Sequence, residues 1–490
     1  MKRYEDANFR NSMKIRYDFN NLMDTSINAK LQADAFQGKV GAISKADIEA
    51  MMPQYKAARA SLDKKLGKAE YMLAWTEMAY NQDEIVLDII EYAKEVQDKF
   101  DNFVVLGIGG SALGPIALQQ ALNHMHYNDL PKSQRKAPKF FVEDNVDPER
   151  MQALLDVVDV KKTCFNVISK SGSTSETMSQ YLIISKLLKD ALGSKWAENV
   201  VATTDHQKGN LIKIAKKEGI KTFYIPDGVG GRFSEICPVG LLPAAVCGID
   251  IEELLAGVAY MDEQTKEADV YKNASHMAGL LMYIAMEQKG KNIQVVMPYA
   301  DSLKYMADWH AQLWAESLGK KMSLDGRPVH VGQTPVKALG VTDQHSQVQL
   351  YAEGPFDKII TFIGVDEYRT EYTIPEGCED VPDVSFLGGH TLNELIQSEL
   401  DATEYALTVQ GKLNQRITLP EVNAFTIGQL MYFFMMQTAV CGELLNIDAF
   451  DQPGVEAGKN ATYALLGKKG YENTKAKLDA RPKKNEEYIL

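Results

Sequence analysis

Short apolar runs that each end in Gly, Ser, Thr or Asp recur along the middle of the sequence, and helical stretches separate them. The first set consists of FVVLGIGG (103–110), KFFVEDNVDP (139–148), CFNVISKSG (164–172), VVATTDH (200–206) and KTFYIPDG (221–228). Strands that alternate with helices favour a parallel sheet with helices on both faces. The alternation therefore predicts an α/β fold. The sequence has no strict short-period repeat, which argues against a solenoid.

A second set of apolar runs follows after a helical stretch and predicts a second sheet. Its members are NIQVVMPYA (292–300), RPVHVGQTP (327–335), VQLYAEG (348–354) and KIITFIGV (358–365). Two α/β units of similar size are the simplest interpretation of a chain of this length.

The remaining regions show apolar residues at helical spacing, for example in 31–37, 45–66 and 83–100. The sequence therefore predicts a helical N-terminal segment (1–98), a first α/β unit (99–248), a helical linker (249–292), a second α/β unit (293–445) and a C-terminal arm (446–490).

The overall charge limits the ligands that this chain can attract. Lys and Arg number 53 and Asp and Glu number 66, so the net charge is −13. A protein this acidic is a poor non-specific partner for nucleic acid or an anionic membrane. An anionic ligand would therefore need a local arrangement of donors.

Other classes of protein are disfavoured by the distribution of cysteines and apolar residues. The five cysteines are scattered and form no C-x-x-C pair, which argues against a disulfide framework or a zinc ribbon. The N-terminus has no apolar signal region. The most apolar stretches, 236–249 and 430–445, are interrupted by Pro or by polar residues. We therefore expect no membrane span and a cytoplasmic location.

The glycine-rich segment Gly107–Gly114 follows a predicted strand and opens a predicted helix. Glycines at such a position let backbone N–H groups approach an anion at the helix N-terminus. The segment also satisfies the dinucleotide pattern G-x-G-x-x-A, which requires an acidic residue about 20 residues further on. Here the next predicted strand ends at Glu143, 31 residues after Ala112. A tight packing turn is the alternative interpretation.

The segment Ser169–Glu176, with the sequence SKSGSTSE, is rich in hydroxyl groups and contains one lysine. Ser173-x-x-Glu176 has the pattern of a capping box, which predicts the start of the following helix. A cap needs one hydroxyl group, and this segment supplies several. The excess suits an anion such as phosphate, bound by hydroxyl groups, backbone N–H groups and the helix dipole. A polar loop with a cap is the alternative.

Two further segments carry candidate catalytic groups. Arg232 lies in the glycine-rich segment 228–234, where it could stabilise negative charge on a substrate or form an ordinary ion pair. Gln312 and Glu316 are separated by four residues in a predicted helix and share a face, which makes Glu316 a partly desolvated candidate base. Exposed helical glutamates are far commoner than catalytic ones.

Two polar segments near the C-terminal half complete the set of candidates. His345 lies in a polar loop, where most histidines have no special role. Gln452, Glu456 and Lys459 lie at a junction between a loop and a helix. Lys459 follows Glu456 by three residues, so a surface ion pair is the simplest interpretation.

Taken together, these segments resemble the glucose-6-phosphate isomerase (phosphoglucose isomerase) family, of the sugar-isomerase-domain (SIS) type. GVGGRFS and FDQPGVEAGK match the two signature segments of that family. The six matching segments occur in the family's order over about 350 residues. They are LGIGGSALGP (106–115), ISKSGSTSET (168–177), DGVGGRFSEICPVG (227–240), QLWAESLGK (312–320), TDQHSQ (342–347) and AFDQPGVEAGK (449–459).

The resemblance implies a fold, a reaction and an assembly. The fold would be an α-β-α sandwich of two doubly wound SIS subdomains. The reaction would be the reversible conversion of glucose 6-phosphate to fructose 6-phosphate, without a metal or a nucleotide cofactor. The resemblance also implies a homodimer in which the C-terminal arm wraps the partner and His345 acts in the partner's site.

The resemblance also implies residue roles. His345 and Lys459 would open the sugar ring, and Glu316 would move a proton between C2 and C1 through a cis-enediol. Arg232 would stabilise the enediolate charge. The substrate-binding residues implied are Gly110 and Ser111 on the sugar side, Ser169, Lys170, Ser171 and Thr174 at the phosphate, and Gln312 and Gln452 at hydroxyl groups.

Three other functions are alternatives to this interpretation. A bifunctional sugar-phosphate isomerase on the same scaffold is disfavoured because such chains are much shorter. A phosphosugar-binding regulator would not need Glu316, His345 and Lys459 together. An NAD-dependent oxidoreductase is disfavoured by the position of the acidic residue after Ala112.

Overall fold

The computed structural model describes residues 2–32 and 40–490, so most of the predicted helical stretch 31–37 lies outside the described residues. The strands are β1 (Arg16–Asp18), β2 (Asn102–Leu106), β3 (Lys139–Glu143), β4 (Thr163–Ile168), β5 (Val200–Thr204), β6 (Lys221–Tyr224), β7 (Ile293–Pro298), β8 (Lys320–Met322), β9 (Pro328–Val331), β10 (Thr334–Lys337), β11 (Lys358–Glu367) and β12 (Asn414–Glu421).

Helices cover both faces of the sheets and fill the space between them. They are Ala7–Ser12, Ser26–Leu31, Lys45–Asp63, Asp83–Lys99, Leu113–Leu122, Lys132–Arg135, Pro148–Val157, Ser175–Leu192, Asn210–Glu218, Pro238–Val246, Ile251–Thr265, Ala274–Lys289, Lys304–Leu318, Val348–Glu353, Pro382–Ser385, Leu392–Val409, Ala424–Leu444, Glu456–Leu465 and Glu472–Asp479.

The first sheet has the strand order β3-β2-β4-β5-β6, and all of its pairs are parallel. Every residue of β2, β4 and β5 is buried, which explains why these strands have continuous apolar runs. The strand that follows β2 in the sequence, β3, pairs with one edge of β2, and the next strand, β4, pairs with the opposite edge. In such sheets the crevice at the reversal, here between β2 and β4, is where ligands bind.

The second sheet has the order β1-β12-β11-β7-β10. Strands β7, β10, β11 and β12 pair in parallel, and β1 adds an antiparallel edge. The reversal of strand order lies between β7 and β11. One parallel sheet and one sheet that is parallel except for its β1 edge, both of doubly wound type, confirm the predicted fold class.

Three local predictions were incomplete or wrong. Residues 16–18, in the segment predicted to be helical, form the edge strand β1. The predicted strand 348–354 is instead the helix Val348–Glu353, in which the Tyr351 hydroxyl donates to Gln347 one turn earlier (2.6 Å). The predicted strand 327–335 divides, because β9 pairs with β8 in a separate hairpin and only β10 joins the main sheet.

A single apolar helix forms the centre of the core. Among the residues that the structure describes, only Ala424–Leu444 is long and apolar enough to cross a membrane, and its apolar window is 100% buried inside the protein. It packs against the helices Ile251–Thr265 and Ala274–Lys289 of the predicted linker. A helix that is apolar on every side is stable when neighbours surround it in this way.

Two buried histidines predict that the protein loses stability in acid. Burial lowers the pKa of His276 and of His310 to about 3, with the Arg59 charge adding to the effect at His276. Below pH ~6.5 the unfolded chain binds more protons than the folded one, so the free energy of unfolding decreases as the pH is lowered. At about pH 4.5 each histidine should contribute a loss of roughly 2–3 kcal/mol.

Urea unfolding at neutral and acid pH checks this expectation. His310→Phe keeps an aromatic ring against Trp314 and Phe434 and removes one titrating group. Its acid-induced loss should be smaller than that of the wild type. His126→Phe, at an exposed site, should behave as the wild type. Equal losses in His310→Phe and the wild type would contradict the assignment.

Candidate active site

The loop after β2 lies at the reversal of strand order in the first sheet and is packed tightly against a second glycine-rich loop. Gly109–Ser111 forms a short 3₁₀ turn in which the Ser111 N–H donates to the Ile108 carbonyl (3.2 Å). A Cβ atom on Gly110 would lie 2.2 Å from the carbonyl oxygen of Gly231. Only glycine permits this approach, so Gly110 is required for packing and brings the loop beside Arg232.

The loop after β4, Ser169–Thr174, is the second element of the same reversal, and we call it the anion loop. The Ser169 hydroxyl accepts from the Gly172 N–H (3.0 Å) and lies 3.2 Å from the Thr174 hydroxyl. The Ser171 hydroxyl accepts from the Ser173 N–H (3.1 Å). Three hydroxyl groups are thus held by the loop itself beside the start of the helix Ser175–Leu192. This arrangement suits an anion.

The lysine of the anion loop is directed toward the Arg232 segment. The Lys170 ammonium donates to the Val229 carbonyl (2.9 Å), three residues before Arg232. The remaining donors of this lysine stay free of any protein partner among the described residues. Lys170 therefore connects the anion loop to the second glycine-rich loop.

The predicted capping box in this loop is wrong. The helix begins at Ser175, its N-cap is Thr174, and no side chain caps it. The Ser173 hydroxyl, predicted to cap the helix, instead accepts from the Asn210 side chain (3.0 Å). Because Asn210 is brought there by a separate helix, the local sequence pattern could not reveal this competing partner.

Arg232 is the buried centre of the site, with 3% of the residue exposed. Its Nη1 donates to Glu316 Oε2 (3.3 Å) and to Gln452 Oε1 (3.0 Å), and its Nε donates to Ser317 Oγ (2.7 Å). Its Nη2 donates to the carbonyls of Ala449 (2.6 Å) and 451 (3.0 Å). Burial lowers the pKa of the guanidinium from its usual value, and the Glu316 charge opposes this shift.

Glu316 is partly desolvated, as predicted, with 31% of its side chain exposed. It lies in the helix Lys304–Leu318, and the Gln312 amide of the preceding turn donates to the same Oε2 atom (3.2 Å). The arginine and the amide both engage Oε2, and no described residue donates a hydrogen bond to Oε1. One carboxylate oxygen is therefore free to accept a proton.

Lys320 is a further member of this site, and no role was predicted for it from the sequence. Its buried ammonium donates to the carbonyls of Glu316 (2.7 Å), Ser317 (3.0 Å) and Asp451 (2.8 Å). Burial lowers its pKa, and the nearby Arg232 charge lowers it further. Lys320 and Arg232 together attach residues 449–452 to the end of the Glu316 helix.

The two remaining predicted catalytic groups are not joined to this centre. Lys459 is exposed and pairs with Glu456 (3.0 Å), as the simplest interpretation of its spacing predicted. His345 is exposed at the end of the 3₁₀ turn Thr342–His345. Within residues 2–32 and 40–490, no hydrogen bond or ion pair connects His345 to Arg232 or Glu316.

Glu235, a fully buried carboxyl group three residues after Arg232, was not predicted from the sequence. Neither of its carboxyl oxygens has a hydrogen-bond partner. Burial raises the pKa of Glu235 well above its usual value. The side chain fills the space between Gly114 and Gly240, where added Cβ atoms would lie 1.4 Å and 2.2 Å from its oxygens. It therefore packs as a neutral acid between two helices of the site.

One group of side chains beside the anion loop has the composition of a metal site. Ligand atoms of Asp205, His206 and Asp227 lie within 4.8 Å of one another. However, one Asp205 oxygen already accepts from the backbone N–H groups of 207 (2.9 Å) and 208 (2.7 Å). The hydrogen bonds of the turn that follows β5 therefore account for the position of Asp205 without a metal ion.

Comparison with known proteins decides the family. The sequence profile described as phosphoglucose isomerase matches residues 87–483, which is most of the chain. The chain belongs to the phosphoglucose isomerase family. A curated relative, glucose-6-phosphate isomerase of Carboxydothermus hydrogenoformans, is 50% identical over 478 residues, covering 98% of this chain and 100% of the relative. The recognition made from the six segments is confirmed.

Two solved structures share the fold of this chain. A hypothetical protein from Thermus thermophilus superposes with a TM-score of 0.79 at 36% identity and covers 93% of this chain and 100% of that one. A glucose-6-phosphate isomerase from Chlamydia trachomatis superposes with a TM-score of 0.70 at 22% identity, with coverages of 83% and 81%. The second likeness shows that the two chains share the fold.

Proposed function

We propose that this member of the phosphoglucose isomerase family interconverts glucose 6-phosphate and fructose 6-phosphate. The observation that carries the proposal is the shared contact of Arg232 and Gln312 with one oxygen of Glu316, beside the anion loop. This geometry supplies a candidate base and a fixed positive charge, and the hydrogen bond from Lys170 to the Val229 carbonyl connects the Arg232 segment to the anion loop. The relative from C. hydrogenoformans bears the name of this activity.

The phosphate of the substrate would bind in the anion loop. Hydroxyl groups of Ser169, Ser171 and Thr174 would donate to it, and Lys170 would supply the positive charge that an acidic protein otherwise lacks. The phosphate is remote from the reacting carbons, so its binding energy would orient the sugar in the cleft. Gly110 and Ser111 would line the sugar side, and Gln312 and Gln452 would hold hydroxyl groups.

Proton transfer would take place at Glu316. Isomerisation of an aldose to a ketose moves a proton from C2 to C1 through a cis-enediol, and a single base on one face can do both steps. Glu316 Oε1 would take this proton. Arg232 remains charged and would stabilise the enediolate oxygen without competing for the proton. His345 and Lys459 would handle the earlier opening of the sugar ring.

We also propose that the active unit is a cytoplasmic homodimer whose partner supplies His345. The exposure of His345 and its lack of described partners support this proposal. Exposed apolar side chains between β11 and the helix Leu392–Val409 offer a surface for a second copy; they are Tyr372, Val381, Val384 and Phe386. The C-terminal arm 446–490 would contribute to the same contact, and 99–248 and 293–445 would be the two SIS subdomains.

The reaction is tested by incubating the purified protein with fructose 6-phosphate in metal-free buffer containing EDTA and measuring glucose 6-phosphate. Rapid conversion that resists the chelator is the expected result. If the protein bound sugar phosphate without converting it, the isomerase proposal would be rejected in favour of a phosphosugar-binding regulator. Binding of NAD with hydride transfer would instead support the oxidoreductase alternative.

The shared site makes a separate prediction about mixed dimers. Glu316→Gln and His345→Ala should each be inactive alone. After the two are unfolded and refolded together, half of the dimers are mixed, and one site in each mixed dimer contains both wild-type groups. Activity should therefore recover to about a quarter of the wild-type level. A mixture that stays inactive, while size-exclusion chromatography shows mixed dimers, would place both groups in one subunit.

A further inference from the structure

Ser173, the residue before the N-cap Thr174, joins three parts of the protein. Its N–H donates to Ser171 of the anion loop (3.1 Å), and its hydroxyl accepts from Asn210, the first residue of the helix Asn210–Glu218 (3.0 Å). Its carbonyl accepts from the hydroxyl of Tyr463 in the helix Glu456–Leu465 (3.1 Å). The anion loop, to which Ser173 belongs, is therefore hydrogen-bonded directly to the C-terminal helix that carries Lys459.

The helix Glu456–Leu465 is otherwise lightly attached. Ala464 is its only buried residue. The Tyr463 ring packs edge-on against Tyr471 (centroids 5.3 Å apart) and under the Lys468 ammonium (3.7 Å), and both residues belong to the same C-terminal segment. Segments with few buried contacts open locally at a low free-energy cost. Among the contacts within one subunit, the hydrogen bond from Tyr463 to Ser173 should therefore contribute a large part of the free energy that keeps this helix in place.

Tyr463 and Lys459 lie four residues apart in this helix and so project from the same face. A hydrogen bond that fixes Tyr463 consequently fixes the turn from which the Lys459 side chain extends. The loop before this helix is held separately, because Gln452 binds Arg232 (3.0 Å) and Asp451 binds Lys320 (2.8 Å). Residues 452–463 thus span the distance between the Arg232 centre and the anion loop.

We propose that Tyr463 is a positioning residue that couples occupancy of the anion loop to the placement of Lys459. An anion bound by the hydroxyl groups of Ser171 and Thr174 restrains Ser173 from both sides, because the Ser173 N–H donates to Ser171 Oγ and the Ser173 carbonyl belongs to the peptide unit that joins Ser173 to Thr174. Tyr463 transmits this constraint to the C-terminal helix. The inference rests on the proposed function only in placing the phosphate in the anion loop.

The size and reciprocity of the coupling follow from general principles. A single neutral hydrogen bond is worth a factor of about 3–10 in an equilibrium constant. Because coupling between two sites is reciprocal, loss of the Tyr463 hydroxyl should weaken phosphate binding by the same factor by which it reduces the phosphate-induced ordering of the helix.

Hydrogen exchange measures the coupling directly, with inorganic phosphate as the ligand. In the wild type, phosphate should slow exchange of the amides in 456–465. In Tyr463→Phe, which keeps the ring and removes the hydroxyl, this protection should fall by about 3–10-fold. Tyr471→Phe, whose hydroxyl has no described partner, should retain wild-type protection. Equal protection in Tyr463→Phe and the wild type would overturn the inference.

A double-mutant cycle separates positioning from a purely structural role. Tyr463→Phe should lower kcat by about 3–10-fold, and it should have no further effect in a Lys459→Met background because it acts through Lys459. Additive losses would overturn the inference. Binding of phosphate to the wild type by calorimetry identifies which proposal fails: no binding rejects the anion loop itself, whereas binding without protection of 456–465 rejects only the coupling.

Discussion

Glu316→Gln is expected to lose isomerisation almost completely while retaining the binding of sugar phosphate. The substitution keeps the size of the side chain, and its amide oxygen can still accept from Arg232 and Gln312. What is lost is the oxygen that takes the proton. A positioned general base contributes a factor of about 10²–10⁴ in rate, and kcat should fall by that much.

The measurement compares kcat for fructose 6-phosphate with the affinity for the same ligand by calorimetry. Asp308→Asn is the matched control, because it removes a carboxylate from the same helix at a position paired with Lys337 (2.6 Å). This control should retain wild-type turnover. If Glu316→Gln kept near-wild-type kcat, another residue would have to be the base. An equal loss of affinity would mean that Glu316 mainly binds the substrate.

Arg232→Lys is expected to impair both the reaction and the stability of the protein. Lysine keeps the charge, but it cannot reproduce the fork of donors that reaches Ser317, Glu316 and the carbonyls near 450. Buried acceptors would be left unpaired, at a cost of about 2–4 kcal/mol in the free energy of unfolding. Loss of preorganised charge stabilisation should lower kcat by about 10²–10³.

Urea unfolding and steady-state kinetics of the same preparation test the two effects together. Arg416→Lys is the control, because Arg416 is also partly buried and paired, with Asp401 and Glu404, but lies in the second sheet. It should lose stability and keep kcat. Wild-type kcat in Arg232→Lys would show that position 232 needs only a positive charge.

Part of the fold could be predicted because the central strands of a parallel sheet are buried on both faces, whatever the order of the strands. The residues of β2, β4 and β5 are buried and mostly apolar, and the loops that follow them begin with Gly, Ser or Asp. Strand β12 was not identified, since it contains Asn414, Gln415 and Arg416. Gln415 donates to Thr361 on the neighbouring strand (2.8 Å). Polar residues that find such distant partners have no local signature.

Some residues of the candidate site could likewise be predicted from the sequence, and others could not. The types of residue in the anion loop and at Arg232 and Glu316 carry chemistry that the sequence displays. Glu235 and Lys320 depend on packing between segments far apart in the chain, Glu235 against Gly114 and Lys320 against the carbonyl of 451. A sequence pattern can indicate a reactive group, but the burial of a carboxyl or an ammonium group is decided by elements that it does not contain.

The contacts of Arg232 also have a consequence for the synthesis of this protein. Two of the guanidinium's hydrogen bonds end on carbonyls at 449 and 451, more than 200 residues after the arginine. Both sheets are complete by Glu421, so they can assemble while the chain is still attached to the ribosome. The contacts of Arg232 cannot all form until residues 449–452, in the final tenth of the chain, have emerged. A product that terminates before residue 449 would bury an arginine without its acceptors and would be recognisable to quality control as unfinished.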